Sequence, residues 1–258
     1  MSFLYTETYG QGPELFLIHG WGLHGGIWQP LVEALQERYR LTTVDLPGHG
    51  NSPLPAGGFD LPRLAQLLQD AAPPQATWIG WSLGGMATLQ AALNQPQRIA
   101  KLVMVAAQPQ FIRTADWPHA TPAASLAQFS DNLVNHTEQT LKRFLALQVR
   151  GTADEKALLR QIRALVDARP HPKAEALRLG LEILSRTDLR AQLKQLQAPA
   201  QFIFGGRDML VPVAAAEAIR PLAPGAQIDI LPQAGHIPFL SHTEEFLEPL
   251  EGFMGKNA

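Results

Sequence analysis

The run Thr77-Trp78-Ile79-Gly80-Trp81-Ser82-Leu83-Gly84-Gly85 joins a short apolar segment to a long helical one through a serine set between glycines. Thr77 to Gly80 reads as a buried strand, and Leu83 to Asn94 carries the apolar content of a helix. In that context Gly80-Trp81-Ser82-Leu83-Gly84 is a nucleophile elbow. Its small residues let a strand turn sharply into a helix, which lifts the Ser82 hydroxyl above the strand's carboxyl end. A serine is also a favoured helix N-cap, so the elbow reading depends on what else the chain supplies.

Outward from the elbow, short β-branched segments alternate with helical ones, the pattern of an α/β fold with a mostly parallel sheet covered on both faces. The predicted strands are Phe3 to Tyr9, Glu14 to His19, Leu41 to Asp45, Thr77 to Gly80, Lys101 to Ala106, Gln201 to Gly205 and Gln227 to Leu231. Helices are predicted at Trp28 to Arg38, Leu61 to Asp70, Leu83 to Asn94, Val213 to Leu222 and Thr243 to Phe253. From about Pro109 to Thr187 the alternation stops, and four helical segments follow one another near Leu126 to Asn135, Glu138 to Val149, Glu155 to Ala168 and Lys173 to Leu184. This predicts a core of residues 1–108 and 188–258 with a helical lid, 109–187, inserted into it. Pro118, Pro122, Pro170 and Pro172 fall where those helices should start or stop, since proline lacks an N–H and restricts its predecessor.

A serine hydroxyl is a poor nucleophile unless a base takes its proton as it attacks. His236, in Ala234-Gly235-His236-Ile237-Pro238 just after the last predicted strand, is the candidate base. Asp208, in Gly205-Gly206-Arg207-Asp208 after the preceding strand, is placed to accept the other ring proton and fix the tautomer. Asp45 and Asp188 compete poorly, because one ends a different strand and the other lies near the return from the lid. An oxyanion needs donors: the backbone N–H of Leu83 opens the elbow helix, and that of Trp21, in His19-Gly20-Trp21-Gly22 after an early strand, is the expected partner. His19 reads as a buried, hydrogen-bonded residue shaping that loop rather than as a second base.

Composition narrows the classes. The chain has 258 residues, 46% hydrophobic and 17% charged, a formal charge of −2 and no cysteine. Disulfides, thiol nucleophiles and thiolate metal sites are excluded, and general nucleic-acid binding is disfavoured. Met1 to Pro13 lacks a signal-peptide pattern and no apolar run approaches a membrane span, so a cytoplasmic protein without membrane association is expected, most simply a monomer. His24, His49, His119, His136, His171 and His242 show no metal-ligand spacing and read as surface or turn residues. The glycines at 20, 22, 25 and 26 lack the dinucleotide-binding spacing, and no Walker A lysine is present. No metal and no cofactor is implied.

The order Ser82, Asp208, His236 is that of the α/β hydrolases. His19-Gly20-Trp21-Gly22, Asp45-Leu46-Pro47-Gly48-His49-Gly50-Asn51-Ser52, the elbow and the two later loops resemble that superfamily throughout. More specifically, the tryptophan before Ser82, the segment Arg143-Phe144-Leu145-Ala146-Leu147-Gln148, and Gly180-Leu181-Glu182-Ile183-Leu184 leading into Thr187-Asp188-Leu189-Arg190 resemble the pimeloyl-[acyl-carrier protein] methyl ester esterases of biotin synthesis. The resemblance covers essentially the whole chain. It implies hydrolysis of a methyl ester on a pimeloyl chain borne by acyl-carrier protein, with substrate contacts at Trp21, Ser82, Leu83, Phe144, Leu145, Ala146, Leu147, Gln148 and His236. Phe144 and Leu147, three apart, are equally what a helix buries as its own core. The superfamily pattern is shared with broad carboxylesterases, carbon–carbon bond hydrolases and, without turnover, ligand receptors.

Charge adds a second expectation. Residues 109–187 hold 11 Lys plus Arg and 8 Asp plus Glu, a balance of +3 that leaves −5 for the rest. Lys156, Arg160 and Arg163 share a helical face and, with Lys142 and Arg143, are placed to steer an acidic carrier protein or a pantetheine phosphate. The alternative is a solvated face paired with Asp154, Glu155 and Asp167.

Overall fold

The computed structural model describes residues 3–255. Its sheet has seven strands: β1 (Thr6–Tyr9), β2 (Glu14–Ile18), β3 (Arg40–Val44), β4 (Ala76–Trp81), β5 (Ile99–Val105), β6 (Ala200–Gly205) and β7 (Gln227–Leu231). They pair in the order β1-β3-β2-β4-β5-β6-β7. Every pairing is parallel except that of β1, which runs antiparallel to β3 at one edge. The central strands are largely apolar, with their few polar residues such as Glu14 and Lys101 near the strand starts, because both faces are covered. In β2, Phe16 and Ile18 enter one core cluster and Leu15 and Leu17 the other, as the two-residue period of a strand requires.

Eleven α-helices are assigned among the described residues. They are α1 (Gln29–Leu35), α2 (Leu61–Ala71), α3 (Leu83–Asn94), α4 (Ala123–Asn135), α5 (Thr137–Val149), α6 (Glu155–Val166), α7 (Ala174–Arg186), α8 (Arg190–Leu193), α9 (Ala215–Ile219), α10 (Pro238–Ser241) and α11 (Thr243–Gly255). On one side of the sheet, α2, α3 and α9 bury Leu64, Leu68, Leu89 and Ile219. On the other, α1 and α11 bury Leu31, Leu35, Phe246 and Leu250 around Trp28 and Phe239. Helices α4 to α7 follow one another between β5 and β6. The helix expected from Trp28 opens instead as a 3-10 turn at Gly25–Trp28 and ends at Leu35. Helices α8 and α10 have four residues each, too few to show a periodicity.

A polar cluster ties the helical segment to the core. Asp45, fully buried after β3, accepts from Gly25 N at 2.7 Å and Asn51 N at 2.8 Å, and pairs with Arg169 Nη1 at 2.7 Å. Arg169 also binds Glu7 on β1, and its guanidinium lies over the Tyr5 ring. Glu7 in turn accepts from the hydroxyls of Tyr5 and Tyr9. Burial and the hydrogen bond to Glu7 raise Tyr9 to about 12. One arginine from the loop after α6 thus joins two strands of the core.

Three imidazoles surround this loop. His19 is buried as expected, accepting from Leu46 N at 2.8 Å on Nε2 and donating from Nδ1 to Gly20 O at 2.7 Å. His24 and His49, expected at the surface or in turns, are buried. His24 accepts from Gly26 N and donates to Val166 O at the end of α6, at 3.0 Å. His49 donates to Pro47 O. The Asp45 loop folds back on itself and draws both rings inside, which no local spacing signals. Burial pushes His19 well below the usual histidine value, lowers His24, and takes His49 to about 4.

Two outcomes follow from this cluster. Arg169→Ala removes the cation facing a carboxylate that has no access to water, and should cost about 3–5 kcal/mol in urea unfolding. A loss below about 1 kcal/mol would mean that the two backbone donors satisfy Asp45 alone. The histidines, whose folded values are depressed, contribute stability that is complete above the unfolded value of 6.5 and is lost as pH falls toward the folded one. For His49 alone the loss by pH 5 is on the order of 2 kcal/mol. His49→Gln should therefore flatten the fall in melting temperature between pH 7 and pH 5, whatever it does at pH 7. An unchanged slope would remove His49 from the acid transition.

Candidate active site

The turn after β4 puts Ser82 at φ 56° and ψ −119°, a conformation that non-glycine residues rarely adopt. Its N–H still donates to Val105 O at 3.0 Å, so the strained residue is fixed to the sheet. Gly80 and Gly84 make the turn possible. A Cβ on Gly84 would lie 2.4 Å from His19 O, and one on Gly80 2.4 Å from Thr88 Oγ1. Helix α3 is thereby seated directly against the end of β2.

The loops after β6 and β7 close on each other. Arg207 N donates to Ala234 O at 2.9 Å, and a Cβ on Gly205 would meet Gly235 O at 2.1 Å. This closure brings Asp208 to His236: Asp208 Oδ2 accepts from His236 Nδ1 at 2.7 Å. Asp208 is itself oriented, because its Oδ1 accepts from Leu210 N at 2.7 Å and Val211 N at 2.9 Å. With the Nδ1 proton committed to the carboxylate, Nε2 of the neutral ring is the acceptor. Nε2 is buried and has no hydrogen-bond partner, Ser82 included, among the described residues.

Trp81 links this pair to the elbow. Its Nε1 donates to His236 O at 2.8 Å, and its ring packs against the imidazole with centroids 5.6 Å apart. The sequence marks this tryptophan as distinctive but gives it no role. The structure makes it the residue that holds the histidine loop against the serine turn. On the other side of the elbow, neither the backbone N–H of Trp21 nor that of Leu83 donates to another protein group among the described residues. The Trp21 indole donates to Leu177 O on α7 at 2.8 Å. Gly180 permits this approach, since a Cβ there would lie 2.6 Å from Trp21 Cδ1.

Above Ser82 is a cavity of about 330 Å³ whose walls include Trp21, Phe129, Phe144, Leu147 and Leu181. Phe144 stands edge-on to Trp21 at 4.8 Å and near Phe129 at 5.9 Å. The run 144–148 does not face this cavity as a unit, because successive helical residues point about 100° apart. Phe144 and Leu147 line it. Leu145 lines a separate groove of about 440 Å³ with Gly22, Leu141, Lys142 and Arg163, and Ala146 is exposed. Gln148 is buried, its Nε2 donating to Phe144 O at 3.2 Å. Phe129, which sequence reading missed, comes from α4, where nothing distinguishes it from an ordinary core position.

Of the expected basic face, Lys142 pairs with Glu138, whereas Arg143, Lys156, Arg160 and Arg163 are exposed and make no ion pair among the described residues. Two of the carboxylates expected to neutralise them are engaged elsewhere: Asp154 caps α6 through Ala157 N, and Glu155 accepts from Gly151 N. Among the described residues there is no cluster able to hold a metal ion and no helix long and apolar enough to cross a membrane.

The model of the alpha/beta hydrolase family matches residues 15–248. The chain is 41% identical over 254 residues to the pimeloyl-[acyl-carrier protein] methyl ester esterase of Methylococcus capsulatus, covering 98% of this chain and 99% of that one. It is 44% identical over 251 residues to the enzyme of the same name from Xanthomonas oryzae pv. oryzae, at 97% and 98% coverage. An esterase structure from Exiguobacterium antarcticum superposes with a TM-score of 0.89 over 98% of this chain and 96% of that one, at 23% identity, which speaks to the fold. The chain belongs to the alpha/beta hydrolase family and, within it, to the pimeloyl-[acyl-carrier protein] methyl ester esterases.

Proposed function

We propose that Ser82, His236 and Asp208 form a catalytic triad that hydrolyses the methyl ester of a pimeloyl chain carried on acyl-carrier protein. The observation that carries this reading is the imidazole oriented by Asp208 with its Nε2 free, held by Trp81 beside a serine on a strained turn. Ser82 Oγ attacks the ester carbonyl while Nε2 takes its proton. The N–H groups of Leu83 and Trp21 receive the oxyanion, and His236 returns the proton to departing methanol. Water, deprotonated by the same nitrogen, then releases the acid. Catalytic hydrogen bonds such as that between Oγ and Nε2 are often long without substrate and tighten in the substrate complex.

Helices α4 to α7 act in this reading as a lid that supplies the acyl wall through Phe144 and Leu147. Arg143, Lys156, Arg160 and Arg163, exposed and without carboxylate partners among the described residues, present the acidic carrier with a positive surface.

Ser82→Ala and His236→Ala should each lower kcat on a methyl ester by about three to six orders of magnitude, and the double variant should be little worse than either alone. Single effects that simply add would show that the two residues do not work as a unit. Reversing Arg143, Lys156, Arg160 and Arg163 to glutamate should lower kcat/KM on carrier-bound ester relative to p-nitrophenyl acetate by about tenfold or more at low salt, because steering acts on association. Added salt should shrink the difference. An unchanged ratio would make this face an ordinary solvated one.

A further inference from the structure

Arg113 is the only charged side chain among the residues that line the cavity above Ser82. Its position is fixed at two points: its N–H donates to Thr121 O at 2.9 Å, and its Nε donates to Ala120 O at 3.1 Å. Its terminal nitrogens have no partner among the described residues, and no carboxylate pairs with it. Gln110, Ile112 and Thr114 make isolated bridges to Asp188, Thr121 and Trp117. The alternation of extended backbone then sets Phe111 and Arg113 on a common side, and both line the cavity. Phe111 also borders the narrow space beside Ser82, Met86 and Ala106. The wall therefore runs from Ser82 through Phe111 to Arg113, whose Cα lies about 7 Å beyond that of Phe111. Arg113 is exposed, so its charge stands where the apolar wall meets solvent.

A plain fatty acyl ester offers such a guanidinium nothing. A short dicarboxylic chain held at Ser82 by one acyl carbon carries a second acyl oxygen a few methylenes away, and the guanidinium fork binds such oxygens with charge-assisted hydrogen bonds. We propose that Arg113 is a specificity-determining residue that recognises the distal acyl oxygen of a short dicarboxylic half-ester, an inference that rests on the ester-hydrolysis reading. The oxygen is the carboxylate of a free half-ester or the carbonyl of a thioester. The phosphate of a pantetheine arm lies many bonds further out, beyond the reach of a residue this close to Ser82.

The test compares monomethyl pimelate and the N-acetylcysteamine thioester of methyl pimelate with methyl heptanoate, which lacks a distal oxygen. For the wild type, kcat/KM should favour the two substrates with the distal oxygen. R113M should lower both ratios to methyl heptanoate by about tenfold, the size of one charge-assisted hydrogen bond, and mainly through KM. R113K, which keeps the charge without the fork, should recover part of each ratio. Equal losses on all three esters would reduce Arg113 to a support for its loop and overturn the proposal, as would ratios that do not move. A loss seen only with a phosphopantetheine thioester, and not with N-acetylcysteamine, would assign Arg113 to the phosphate and also overturn it. If the wild type cleaves none of the esters, the hydrolase reading itself fails before any variant is made.

Discussion

The backbone of Ser82 is the constraint on which the rest of the site depends. A non-glycine residue at positive φ is costly, of order 1–3 kcal/mol, and persists only where its surroundings over-determine it. Here Ser82 N is bonded to β5, Gly80 admits Thr88 against the strand, and Gly84 admits the carbonyl ends of β2. The strain and the packing are one arrangement. Only an unobstructed backbone at Gly80 and Gly84 lets α3 sit close enough to β2 for the loop bearing Trp21 to flank the serine turn. The β2 to β4 pairing, from Leu15–Thr77 to Ile18–Gly80, brings the two turns to the same edge.

Two indoles extend that order outward. Trp81 bonds to His236, 155 positions away in sequence, and Trp21 bonds to Leu177, 156 positions away. Each uses a large apolar body to fill the core and a single N–H to fix a distant backbone. The loop after β7 and helix α7 are thereby both referenced to the elbow. Arg169 ties the same helical segment to the opposite end of the chain through Asp45 and Glu7. Helices α4 to α7 are therefore joined to the core by polar contacts at several places, Leu177, Arg169 and Val166 among them, while their apolar residues complete the cavity.

Legibility in the sequence follows the range of the interaction responsible. Ser82 is legible because strand, small-residue turn and helix are contiguous, and Asp208 and His236 because each follows a strand in the required order. Phe144, Leu145, Ala146 and Leu147 enter as one run by resemblance, and helical rotation separates them, since Phe144 and Leu147 line the cavity above Ser82 whereas Leu145 lines a separate groove and Ala146 is exposed. His24 and His49 read as surface residues because what surrounds them is remote in sequence: Val166, bonded to His24, is 142 positions away, and the His49 ring lies 5.4 Å from that of His19 on another loop. Arg113 is not legible at all. It lies in a stretch of isolated bridges with no periodicity, and its significance comes from being the one charged residue among the described residues of a wall assembled from six separate parts of the chain. Of the carboxylates expected to pair with Lys156, Arg160 and Arg163, Asp154 and Glu155 are bonded to backbone N–H groups at the start of α6, and Asp167 makes no ion pair with them among the described residues.

The distribution of charge divides the work of the site by depth. Next to Ser82 the surroundings are aromatic and aliphatic, and in such low-dielectric surroundings two backbone N–H donors aimed at an oxyanion are worth far more than in water. Under the proposed mechanism a cation there would disfavour the imidazolium that forms as His236 takes the serine proton. The one guanidinium among the described residues that line the cavity, that of Arg113, stands exposed and one strand alternation from Phe111, and Arg143, Lys156, Arg160 and Arg163 are exposed on α5 and α6. The cavity wall above Ser82 is thus largely apolar, and the cations nearest to it among the described residues stand toward solvent. The same primary structure achieves this separation by placing its acyl wall on the inner faces of α4, α5 and α7 and leaving its unpaired arginines on the outer faces of α5 and α6.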